Sequence, residues 1–148
     1  MVESKNYIPA VVCARAAQET FAVIAYLSFK FEEFESTKDL SSLLKTMRRL
    51  SIGWRGDAEF PEMVNILTCI DHVSKKLDPE FRRHYDLLSE SSHPNYSGVL
   101  GAYSKPNHIN LDVDIGLNKK VCEGLSDRVE TTIGICIKPK GTSTFETQ

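Results

Sequence analysis

Apolar residues recur at a helical period from near the N-terminus. After Pro9, which suits a first helical turn, Val12, Ala16, Val23, Leu27 and Phe34 form one stripe, with Cys13, Ala17, Ile24 and Phe31 beside it. The pattern runs unbroken to about Glu35, a helix of about 25 residues and about 38 Å. With apolar side chains over so much of its circumference, it is expected at the centre of the fold. The segment STKD at 36–39 resembles a capping signal, Ser36 or Thr37 accepting from the free amides of a second helix. That helix carries Leu40, Leu43, Leu44 and Met47 at amphipathic spacing and stops where Gly53 and Gly56 break the period. Pro61 is expected to open a third helix that buries Met63, Val64, Ile66, Leu67, Ile70, Val73 and Leu77. Asp78 and Pro79 restart the chain as cap and first helical residue of a fourth, which runs to about Ser91 and buries Phe81, Tyr85 and Leu88.

The period changes after Pro94. INLDVDI at 109–115 alternates, with Ile109, Leu111, Val113 and Ile115 on one face, the pattern of a half-buried strand. GVLGAY at 98–103 is expected to pair with it across SKPN as a small hairpin. Asn118 then caps a last helix with Leu117, Val121, Leu125, Val129, Ile133 and Cys136 facing inward. The expectation is a mainly α bundle of about five helices with a short β element near 98–115. Residues 1–137 form the single domain, and 138–148 a loose polar tail.

Composition narrows the classes of function. The 148 residues are 41% hydrophobic and 26% charged, enough for one globular core, and a net charge of -2 gives no general pull toward nucleic acid or anionic membrane. Cys13, Cys69, Cys122 and Cys136 show no metal-ligand spacing and fall in apolar helical stretches, so buried reduced thiols are expected. The N-terminal residues lack the cationic start and apolar core of a secretory signal, and FAVIAYLSF is about half a membrane span. A soluble cytoplasmic protein is expected, with no membrane partner, metal or cofactor.

Candidate chemistry gathers in three places. Arg15 and Glu19 share a helix face, and Tyr85, Ser89 and His93, four apart along the fourth helix and its end, are candidate partners for a polar network or binding site. Arg82, Arg83 and His84 place cations in the first turns of that helix, against its dipole, either to meet a phosphate or to pair with carboxylates on a solvated face. Lys75, Lys76, Arg48, Arg49 and Arg55 are candidates to extend that basic step. In SSHPNYSG at 91–98, His93 precedes Pro94 and leaves the helical region, with Asn95 and Ser97 able to close turns. His93 suits a general acid or phosphate contact, and equally a helix stop whose His and Asn anchor the turn to the first helix. Asp112 and Asp114 lack a third hard ligand and read as the wet face of a strand. Trp54 with Arg55 suits base stacking, or Trp54 a lid over the core.

ARAAQETFAVIAYL (14–27), NILTCIDHVSKKL (65–77) and FRRHYDLLSESSHPNYSG (81–98) together resemble uncharacterised bacterial proteins of the HEPN-like helical class. The resemblance rests on Arg15 and Glu19, and on Tyr85, Leu88, Ser89, Glu90, His93, Pro94 and Asn95. It implies a helical bundle, often dimeric, of the kind found in phage defence, toxin–antitoxin pairs and RNA processing. Active members are similar to metal-independent ribonucleases that use an Arg followed a few residues later by a His. Here nine residues separate Arg83 from His93, more than two helical turns. That departure favours a non-catalytic module binding RNA or a protein partner as a homodimer. The alternatives are a divergent ribonuclease with His93, Arg82 and Arg83 as catalytic groups, or a small-ligand bundle built on Arg15, Glu19 and His93. Arg15, Glu19, Tyr85, Ser89 and Asn95 are the candidate residues of a polar network or binding site.

Overall fold

One long helix organises the chain. The computed structural model describes residues 6–56, 59–95, 98–107, 109 and 112–137. Among them the order is α1 (Tyr7–Thr37), α2 (Leu40–Ser51), α3 (Ile66–Lys76), α4 (Glu80–Ser92), α5 (Val99–Tyr103), β1 (Ser104–Asn107), β2 (Asp112–Ile115) and α6 (Lys119–Ile137). The fold is mainly α with one two-stranded antiparallel sheet, as the periodicity implies. The polar tail at 138–148 lies outside the described residues.

α1 packs along α3, α4 and α6 and supports two apolar clusters. Ala10, Val11 and Ala14 meet Leu88, Ala102, Cys122, Leu125 and Val129. Farther along, Ala22 meets Cys69, Ile70, Val73, Phe81 and Tyr85. The central position is therefore as expected, but the buried face is not. Val11, Ala14, Gln18 and Ala22 face inward, whereas Val12, Cys13, Ala16, Ala17, Ile24 and Phe31 are exposed. Because α1 is apolar on both sides, hydrophobicity does not choose its inner face; the packing of α3, α4 and α6 against it does. This 31-residue helix is also long and apolar enough, by length and composition, to cross a membrane, although FAVIAYLSF alone is not.

Local chemistry moves several boundaries. Lys38, in the left-handed region at φ 58°, ends α1, and Asp39 rather than Ser36 or Thr37 caps α2, accepting from the Ser42 amide at 3.0 Å. The Ser36 and Thr37 hydroxyls donate to the Glu33 carbonyl, and Thr37 Oγ1 also accepts from the Asp39 amide at 3.3 Å, ahead of the helix rather than within it. Of the α2 stripe only Leu43 is buried. Pro61 does not open α3: its carbonyl accepts from Trp54 N, and Asn65 caps the helix by accepting from Leu67 N. Asp78 marks the restart, its carboxylate accepting from the Glu80 amide at 3.0 Å, but the cap position falls on Pro79 and α4 begins at Glu80, one residue later than expected.

The hairpin is displaced by one element. GVLGAY forms the helical turn α5 because the Asn95 carbonyl gathers the amides of Gly98, Leu100 and Gly101. SKPN, expected as the turn, is itself β1, pairing Ser104 with Ile115 and Asn107 with Asp112. The strand is not half-buried: Ile109, Val113 and Ile115 are exposed. On α6, Cys122, Leu125, Val129 and Thr132 face inward and Ile133 does not. Trp54 is 66% exposed and covers no core.

Candidate functional site

The α1–α4 contact carries the polar network. Tyr85, buried on α4, turns its hydroxyl toward α1, where Arg15 and Glu19 sit one turn apart. Arg15 Nη2 donates to Tyr85 Oη at 3.2 Å, and Tyr85 Oη donates to Glu19 Oε1 at 2.9 Å. Arg15 Nε lies 3.2 Å from the same carboxylate oxygen, and the guanidinium stands 5.5 Å from the tyrosine ring centre. The Tyr85 hydrogen bond raises the Arg15 pKa, against a smaller opposing effect of burial. A hydroxyl that both accepts from the cation and donates to the anion closes the triad on itself. Its geometry is that of a clip fixing the register of two helices.

Ser89 and His93 are not among the bonded partners of this triad. The Ser89 carbonyl accepts from Ser92 Oγ at 2.7 Å. His93 is the C-cap of α4, extended at φ -76° and ψ 152°, with its side chain exposed. Its amide donates to the Glu90 carbonyl and its carbonyl accepts from Val99 N at 3.2 Å. Asn95 Nδ2 donates to the Glu90 carboxylate. The His-Pro-Asn turn is thus tied to α4 and α5, correcting the expectation that it docks on the first helix; Tyr96 and Ser97 lie outside the described residues. At Gly98 a Cβ would fall 2.4 Å from the His93 carbonyl oxygen and 2.5 Å from that of Ser91, so only glycine permits this return of the chain.

The arginines of α4 are engaged locally. Arg82 Nη1 meets Asp71 of α3 at 2.6 Å and its Nε meets Asp86 at 3.0 Å, bonds that raise its pKa, Asp71 contributing most. Arg83 pairs with Glu80 at 2.7 Å. Carboxylates flanking each cation offset the unfavourable dipole. α4 runs unbroken from these residues to Ser92, which sets Arg83 roughly 15 Å along the axis from His93. Within one chain the three groups do not converge.

Three polar features escape the sequence pattern. Gln18 is fully buried, donating from Nε2 to the Phe81 carbonyl at 2.8 Å while its Oε1 has no hydrogen-bond partner. Its signal is a polar residue in phase with Ala14 and Ala22. Ser91, also buried, accepts from Arg128 of α6. His72 of α3 lies edge-on to Tyr26 at 5.2 Å and beside Phe29, and its pKa is lowered first by burial and then by Lys76, Lys30 and Lys75. Cys69 and Cys122 are buried and Cys136 half-buried, their thiols pushed up by burial, but Cys13 is exposed, against expectation. Among the described residues no group of three or more His, Cys, Asp or Glu side chains is arranged to hold a metal ion.

The fold and this geometry define a helical bundle with an interhelical Arg–Tyr–Glu clip and an exposed histidine at the end of α4. No family model matches the chain, and no curated protein or solved structure matches it.

Proposed function

We propose that the chain is a non-catalytic HEPN-like module of a bacterial phage-defence, toxin–antitoxin or stress system, acting as a cytoplasmic homodimer that binds RNA or a protein partner. The observation that carries the non-catalytic part is the continuity of α4. A metal-independent ribonuclease needs a cation and an imidazole on one phosphate, and here both arginines are held by carboxylates about three turns of helix from His93. The Arg15–Tyr85–Glu19 triad supports a structural rather than a chemical role for the helix-one part of the resemblance.

The test is incubation of the purified protein with labelled transfer and messenger RNA in EDTA. Intact RNA, with retention that weakens steeply as salt rises, is expected if RNA is the partner. Intact RNA without retention points to the protein partner. Cleavage that disappears in a folded His93→Ala variant would replace this reading with the ribonuclease, the exposed ring of His93 then pooling with arginines across a dimer axis.

A further inference from the structure

We infer that the outward face of α1, from Val12 to Phe31, is an isologous docking surface for a second copy of this chain. Val12 is 49% exposed, Ile24 61% and Phe31 44%; Cys13, Ala16, Ala17 and Thr20 are exposed between them, and Val23 and Leu27 half-exposed. The face carries no free hydroxyl: Thr20 Oγ1 donates to the Ala16 carbonyl at 2.9 Å and Ser28 Oγ to the Ile24 carbonyl at 3.1 Å. The charged side chains of the stretch are committed elsewhere, Arg15 and Glu19 to Tyr85, and Lys30 to Glu33 and the Tyr26 ring. The face is therefore mainly apolar, with the partly exposed Arg15–Glu19 pair turned toward Tyr85. Packed beside α1, α6 adds exposed Ile133 and Ile137.

Shape selects a second copy as the occupant. The N-terminal half of the face is small (Cys13, Ala16, Ala17, Thr20) and the C-terminal half bulky (Ile24, Leu27, Phe31). Antiparallel two-fold pairing sets each bulky half on the other copy's small half, as an isologous interface requires. Centred between Thr20 and Ile24, it lays Phe31 over Cys13 and Leu27 over Ala17. Charge agrees with shape. Glu35, exposed one turn beyond Phe31, then reaches the other copy's α1 N-terminus, whose first turn has no acidic residue and no side-chain cap. The α1 strip alone, about 28 Å long and about 10 Å wide, buries roughly 560 Å² over two copies, so the ~1,000 Å² expected of a specific interface is reached only with area contributed beside α1, where Ile133 and Ile137 of α6 stand exposed.

This rests on the homodimer of the proposed function and deepens it by naming the face: a monomeric wild-type protein would remove both, whereas a dimer untouched by Ile24→Glu would remove only the face. Light scattering of the full chain at about 100 µM should give twice the 16.6 kDa of one chain. Ile24→Glu should weaken the dimer at least about 100-fold, leaving helical circular dichroism unchanged. Phe31→Cys should form an oxidised cross-linked dimer through Cys13, lost when Cys13→Ser is added. Monomeric wild-type protein, a dimer untouched by Ile24→Glu, or no cross-link would each overturn the inference. So would flotation of monomeric wild-type protein with phosphatidylcholine vesicles, which would make a membrane the occupant.

Discussion

Tyr85 stands between the Arg15 guanidinium and the Glu19 carboxylate, accepting at 3.2 Å from one and donating at 2.9 Å to the other. The residues lie on α1 and α4, 66 or more positions apart in the chain, so the triad reports helix register directly.

Tyr85→Phe keeps the buried ring and removes only the hydroxyl. Charge-assisted hydrogen bonds are worth about 1.5–3 kcal/mol when sheltered. Arg15 and Glu19 keep about a third of their side-chain area in water, 36% and 32%, so screening reduces the expected loss to about 1 kcal/mol. Urea denaturation of Tyr85→Phe, Arg15→Met and the double variant checks this. Additive losses would show that the two side chains do not act as a unit.

Gly98→Ala should cost about 2 kcal/mol or more, because the new methyl would meet two backbone carbonyls that cannot swing aside. Its effect should spread to the His-Pro-Asn turn and α5, seen as faster amide exchange at Val99 and Leu100. A neutral substitution there would mean that the return of the chain tolerates a side chain.

His72 sets a pH dependence. Its pKa lies below the ordinary 6.5, mainly through burial, with Lys76, Lys30 and Lys75 adding repulsion and Glu33 opposing them. The fold therefore favours the neutral ring. Below about pH 6.5 the unfolded chain takes up a proton that the folded chain resists, so stability falls as pH drops through that value toward the folded pKa. Above pH 6.5 the ring contributes no slope. Melting temperature should decline from about pH 6.5 to about pH 5.5, and His72→Gln should flatten that part of the curve. An unchanged slope would remove His72 as its source.

The cationic patch shows what residue types alone reveal. Arg82 and Arg83 at a helix N-terminus signal either a ligand or local carboxylates, and Glu80, Asp86 and Asp71 supply the carboxylates. Glu80 and Asp86 were visible at helical spacing, but Asp71 belongs to α3 and only packing brings it near.

Periodicity and turn chemistry, both local, were enough to establish a mainly helical chain, the central role of α1, the restart of the chain at Asp78 just before α4 and the stop of α4 near His93. Spacing offered Tyr85, Ser89 and His93 as partners for Arg15 and Glu19, and the packing of α1 on α4 selects Tyr85. Tertiary structure alone decided which side of α1 faces inward. An all-round apolar helix has no preferred side until neighbours pack on it, and here α3, α4 and α6 close over the side that carries Ala14 and Ala22. It also decided that GVLGAY is helical and SKPN a strand, because the Asn95 carbonyl and the Gly98 close approach are non-periodic contacts.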